Sequence, residues 1–263
     1  MNSEISLIIK LINMQGKSVV ITGGDAIGAL TSGTRFTTSV SPHVAPSYHL
    51  SGGLGLIRTG WVLDANLSDR GREVRLIRAL LDTRHIPFIG TPKGLGVDAN
   101  TALVVTNPLT SPIGQVVAAT GAIDGVFFVN VTDVATGSIW TGSYSNVPFS
   151  FLTVNDTIDL ITGHVMFASF KSSLTGAEYF EKAVPSYDIL SLNDPFQWRL
   201  AARSLIDSQE TNVTNSEKNI APFVQVVFDR RQALGYGSDL PSNQVYAASH
   251  INMLATINLK QLL

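Results

Sequence analysis

The chain has 263 residues, 44% of them hydrophobic and 14% charged, which supplies a large core and excludes a disordered protein. A net charge of −2 leaves no broad basic surface, so neither nucleic acid nor an anionic membrane is expected as a partner. Cysteine is absent, which removes disulfides, thiolate catalysis and cysteine metal sites together.

Residues 3–16 carry Ile5, Leu7, Ile8, Ile9, Leu11 and Ile12, but polar residues interrupt the run and it is too short to cross a bilayer. It also lacks the basic start and small-residue cleavage site of a secretory leader. A buried first helix, capped by Ser3 and stopped at Gly16, is expected. Residues 18–22 form a β-branched run of the kind buried in parallel sheets, and Gly23 and Gly24 permit a sharp turn into a helix from Ile27. Residues 31–53 are rich in Ser, Thr, Pro and Gly, and predict a long irregular loop.

Residues 55–63 are apolar with a glycine break, and 69–82 predict a helix whose Val74, Ile77, Leu80 and Leu81 form one stripe. Arg72, Arg75 and Arg78 fall elsewhere on that helix; a solvated face is preferred to a pocket lining. Residues 101–106 and 126–132 are strand-like, and 139–170 predict several β-segments. A short helix is expected at 176–183 and a clearer one over 194–208, with Asp194 capping and Pro195 in the first turn. Residues 211–219 are polar and predict a loop; 224–228 and 245–257 predict strands, although periodicity alone also allows a helix for the second. The change of character near residue 170 sets the one expected boundary, between 1–170 and 171–263.

Asn66, Asn130, Asn155 and Asn212 each begin an N-x-Ser/Thr sequon, about as many as chance supplies in a chain this rich in Asn, Ser and Thr. His43, His49, His85, His164 and His250 show no metal-ligand spacing, and residues 52–55 lack the acidic residue of a dinucleotide site. No metal and no cofactor is therefore expected.

Three segments carry a resemblance. Residues 24–29 (Gly-Asp-Ala-Ile-Gly-Ala) sit where the cyanophycinase family of serine peptidases has a Gly-Thr-Ser-Ala-Gly-Ala elbow. Residues 53–57 (Gly-Leu-Gly-Leu-Ile) lead to 64–72 (Asp-Ala-Asn-Leu-Ser-Asp-Arg-Gly-Arg), similar to the family's Asp-x-His-Phe-Ser-x-Arg-Gly-Arg. Residues 94–105 (Gly-Leu-Gly-Val-Asp-Ala-Asn-Thr-Ala-Leu-Val-Val) resemble Gly-Ile-Gly-Ile-Asp-Glu-Asn-Thr-Ala-Leu-Val-Val. Order and spacing agree, and 151–156 and 198–205 are weaker matches to the eukaryotic cyanophycinase-like branch.

The resemblance implies an α/β fold: a three-layer, doubly wound, mostly parallel sheet of the class I glutamine amidotransferase type, with residues 171–263 as a β-rich extension. Family members have several βα units before the elbow and this chain has one helix, so the front of the sandwich is expected to be incomplete. Family enzymes use an elbow serine, a histidine base and an orienting glutamate, and the matching positions here are Ala26, Asn66 and Ala99. Alanine offers no nucleophile, asparagine takes no proton near neutral pH, and Ala99 cannot hold an imidazole. Asp25 places a carboxylate where an oxyanion would form. The residues that still match, or neighbour them, are Gly24, Asp25, Asp64, Ser68, Arg70, Arg72 and Asp98; they are the candidate pocket, with the arginines able to grip a carboxylate or peptide ligand or else to brace the fold. A catalytically inactive protein, homodimeric or joined to a partner chain, is the expected function. The rivals are a hydrolase with a replacement nucleophile such as Ser32 or Ser51, and a fragment completed by another chain.

Overall fold

The computed structural model describes residues 19–22, 35–36, 48–49, 61–86, 92–108, 110–119, 124–135, 143–191, 193–217, 223–240 and 245–260. The expected first helix at 3–16, the elbow at 23–29 and the helix from Ile27 lie outside them. In chain order the elements are β1 (Val19–Thr22), β2 (Arg35–Phe36), β3 (Tyr48–His49), β4 (Trp61–Ala65), α1 (Glu73–Thr83), β5 (Lys93–Val97), β6 (Thr101–Thr106), β7 (Ile113–Ala118) and β8 (Val126–Asn130). They continue with β9 (Tyr144–Leu152), β10 (Thr157–Asp159), β11 (Val165–Met166), β12 (Ser172–Ser173), α2 (Gln197–Ile206), β13 (Asn212–Glu217), β14 (Phe223–Asp229), β15 (Leu234–Leu240) and β16 (Val245–Lys260).

The expected three-layer, mostly parallel α/β sheet is corrected: the protein is mostly β, with two α-helices among the described residues. β4 and β5, joined through α1, run parallel, and every other strand pairing described is antiparallel. β1, from the run expected to be buried in a parallel sheet, instead pairs antiparallel with β6 in a five-stranded sheet ordered β1-β6-β7-β10-β11. The larger sheet has nine strands, with the path β12-β15-β16-β9-β8-β5-β4 and β14 and β13 added beside β16. β16 pairs with β15 over its first half and β14 over its second, and bulges against β9 where Asn252 takes φ 58°.

Alternation along the strands divides the apolar side chains between two cores. Val62, Phe127, Val129, Phe149 and Phe151 point to one face of the large sheet, where Leu76, Ile77 and Leu80 of α1 and Trp198, Ala202 and Leu205 of α2 cover them. Trp61, Leu63, Leu95, Val97 and Phe128 point to the other, against Leu103, Val105, Val116 and Ile158 of the small sheet. Among the described residues the layers are therefore helices, sheet, sheet. The two helices among the described residues cover one face, and an apolar run sandwiched between two sheets has the same composition as one sandwiched between helices.

Four local expectations change with the fold. Residues 176–183 form turns: Gly176 sits at φ 80°, and the Tyr179 and Ala183 N–H groups donate to Asp207 and Glu210. Residues 211–219 contain β13, whose inward positions include Asn215 and Glu217, so its alternation is hidden by polar residues that bond inside. β5 and β7 form where no strand was expected. α2 starts at Gln197 behind Phe196 at φ 70°, and Asp194 accepts from the Gln197 side chain without capping the backbone. No helix among the described residues is long and apolar enough to cross a membrane.

Candidate functional site

The carboxyl ends of the parallel strands β4 and β5 are where an α/β unit presents loops to a ligand, and motif residues 64–72 and 94–100 converge there. Asp64, next to last on β4, faces α1 on the same side as Val62. Arg75 comes down from α1 and holds it in a fork: Nε donates to Oδ2 at 3.2 Å and Nη2 to both oxygens at 2.5 and 2.6 Å. Arg72 lies 3.8 Å from Asp64 and donates to the Ala65 carbonyl at 2.9 Å. Burial pushes the Asp64 carboxyl above its ordinary range, against the pull of Arg75. Arg72 and Arg75 are 5% and 2% exposed, so the expected solvated arginine face is corrected: α1 drives them inward to neutralise a buried carboxylate.

Asp98, at the end of β5, ties four segments together. Its Oδ1 accepts the Ser68 N–H at 3.0 Å, and its Oδ2 accepts the Gly125 N–H and, at 3.1 Å, Arg199 Nη1 of α2. Arg199 also donates to Asp124 at 2.8 Å, and its guanidinium lies over the Phe196 ring at 4.3 Å. Above Asp98 the backbone closes too, with the Phe196 N–H donating to the Ser68 carbonyl at 2.8 Å. Gly71 turns the chain at φ 56°, and a Cβ there would meet the Leu190 carbonyl oxygen at 2.8 Å, so the glycine is required by both the turn and the close approach.

Glu73, the first residue of α1, is fully buried, and no hydrogen bond of good geometry reaches its carboxylate oxygens among the described residues. Burial, with Asp98 adding repulsion, pushes its pKa up to about 8, against weak hydrogen bonding by its own backbone N–H and the Ser68 hydroxyl. Burial likewise pushes Asp98 up to about 6, against Arg199. An orphaned buried oxygen costs about 1–3 kcal/mol, so an ionised Glu73 is costly at neutral pH and the carboxyl keeps its proton.

Of the expected positions, Asp64, Ser68, Arg72 and Asp98 are brought together but face inward. Arg70 is half-buried at the end of the 3-10 turn formed by Ser68–Arg70. Asn66 is a half-buried turn residue at φ 47°, a conformation asparagine tolerates, and the Ala99 N–H donates to Asp69 at 2.8 Å. Gly24, Asp25 and Ala26 lie outside the described residues. Glu73, Asp124 and Arg199 were missed, and two of them left a signal: Glu73 precedes Ile77 by one turn, and Arg199 shares a stripe with Ala202 and Ile206. A charged residue type inside an apolar stripe marks a buried polar group.

A second buried network sits between the β9–β10 turn and β16. Lys171 Nζ donates to Asp156 at 2.7 Å, to Thr153 at 2.8 Å and to Ser249 at 3.1 Å, and Ser249 Oγ donates to Asp156 at 2.5 Å. A serine beside a lysine is a nucleophile–base pairing in composition only. The ammonium is held by the Asp156 carboxylate, and Ser249 is fully buried. Outward, Tyr179, Val184 and Tyr187 are 83, 65 and 60% exposed and run beside α2, where the Val184 N–H donates to Ser204. Among the described residues no group of three His, Asp or Glu side chains is placed to hold a metal ion. No family model matches the chain, and no solved structure matches it.

Proposed function

We propose that this chain is a catalytically inactive relative of the cyanophycinase-type peptidases, acting as a structural or protein-binding scaffold. The observation that carries the reading is internal pairing at the ends of β4 and β5: of the groups expected to receive a ligand, Asp64 is held by Arg75 with Arg72 beside it, and Asp98 is held by Arg199. Ala26, Asn66 and Ala99 supply neither nucleophile nor base at the positions that match the family's triad. A protein partner suits this reading better than a small carboxylate or peptide, because the arginines are already engaged while Tyr179, Val184 and Tyr187 face outward.

The test is incubation of the purified chain with a β-aspartyl-arginine dipeptide, a chromogenic peptide and a fluorophosphonate probe. Turnover no greater than that of a heat-killed control, with no serine adduct by mass spectrometry, is expected. An adduct on Ser32, Ser51 or any other serine, matched by turnover, replaces the reading with an active hydrolase. Light scattering reads the homodimer that the resemblance implies. Twice the 28.2 kDa chain mass supports it, and the chain mass alone rules it out.

A further inference from the structure

We infer that the outward face formed by residues 179–188 and α2 seats a second copy of this chain in a two-fold dimer; the inference rests on the scaffold reading and names its partner. Hydrogen bonds lay this segment along the helix. The Phe180 N–H donates to the Asp207 carbonyl at 3.0 Å, the Val184 N–H to Ser204 Oγ at 2.6 Å and Ser186 Oγ to Gln197 Oε1 at 2.7 Å. Gln197, Leu200 and Ser204 share one face of α2, so the exposed Leu200 lies between the last two anchors and extends the apolar surface of Val184 and Tyr187. Toward the end of α2 the Tyr179 ring meets Phe180 edge-on at 4.9 Å. Tyr179, Phe180, Val184, Tyr187 and Leu200 therefore line one exposed strip.

Area and charge both fit a second copy. The five residues expose about 600 Å², the top of the range for apolar patches on monomers, and two such strips face to face remove about 1,200 Å² from water, the lower end of a stable interface. A two-fold interface sets one patch against itself, so its charges must complement themselves. Glu181 and Lys182 do so. They are adjacent, exposed, of opposite sign and without an ion pair among the described residues, and they lie between Phe180 and Val184. A two-fold operation sets Glu181 of each copy against the partner's Lys182. Exposed ion pairs add little affinity, so the apolar strip supplies the binding and the charges fix the register. The hydrogen bonds to α2 hold the segment in place beforehand, which leaves little ordering to oppose association.

Sedimentation equilibrium of the purified chain from about 1 to 100 μM tests this, with circular dichroism as the check of folding. The expected mass rises with concentration toward twice 28.2 kDa, and the triple variant Tyr179→Ser, Val184→Ser, Leu200→Gln stays at the chain mass with an unchanged spectrum. Glu181→Lys and Lys182→Glu each bring like charges together and weaken dimerisation at least about tenfold, and the two combined restore it. A wild type at the chain mass throughout overturns the inference, and so does a dimer that the triple variant leaves intact. Should the triple variant lose its native spectrum, the charge variants decide: recovery in the combined variant supports this interface, and equal association in all of them overturns it. The scaffold reading fails separately, through peptide turnover or a serine adduct, and neither alters the measured mass.

Discussion

Glu73 is the residue whose chemistry departs furthest from the surface behaviour of its type. Its folded pKa of about 8 lies above the unfolded value, so the folded state holds a proton that the unfolded chain has already released. Stability therefore falls as pH rises through that window. Asp98 acts in the same direction only up to about 6, and His250, held neutral by burial with its pKa pushed down to about 3, stops contributing above about 6.5, the unfolded histidine value. Between pH 6.5 and 8 Glu73 is the main contributor among these three, at roughly 1.4 kcal/mol per pH unit. Urea-unfolding free energies at pH 6.5 and 8 should drop by about 2 kcal/mol in the wild type and stay level in Glu73→Gln; equal wild-type values would refute the assignment. Arg75 gives a second measurement. Arg75→Met leaves Asp64 buried with only Arg72 at 3.8 Å, and a loss of about 3–5 kcal/mol is expected.

At the scale of elements, the β4–α1–β5 crossover depends on how closely the helix and its loops approach the strands. Gly71 meets a backbone carbonyl, which cannot move aside, whereas a Cβ at Gly94 would meet the Leu80 side chain at 2.9 Å, which can rotate away. Gly71→Ala should therefore cost more than Gly94→Ala, about 2–4 kcal/mol against about 1–2, since the first adds left-handed strain to the clash. Thermal midpoints of the two variants check the order, and a reversal would mean that the loop before Leu190 yields. α1 and β6 were legible because their apolar periodicity is strong. β5 was missed because glycines occupy its helix-facing positions, and β13 because Asn215 and Glu217 fill inward positions that pattern reading assigns to solvent.

For the whole molecule, the large sheet runs continuously across residue 170. β9 pairs with β16, β14 and β15 flank β16, and the helix-side core draws Phe149 and Phe151 together with Trp198, Phe228 and Met253. A chain ending at residue 170 loses β16 and α2 at once, exposing the face of β9 and the Asp98 and Asp124 carboxylates that Arg199 neutralises. It is expected to give a flat near-ultraviolet circular dichroism spectrum and to aggregate through the freed β9 edge. A cooperative unfolding transition from that shortened chain would show that residues 1–170 form an independent unit.

By itself the sequence determined the large apolar core, the helix over α1 and most of α2. Asp64, Ser68, Arg72 and Asp98 were grouped through the resemblance of their segments to a known family, and the structure places them around one β4–α1–β5 crossover. Only the tertiary structure decided that β6 turns back into a second, antiparallel sheet, that the strands lie between sheet and helices, and that the acids and arginines point inward to each other. The physical reason is that an apolar run records that a strand is buried without recording what buries it, and a charged side chain's partner, such as Asp98 for Arg199, lies 101 residues away in the chain.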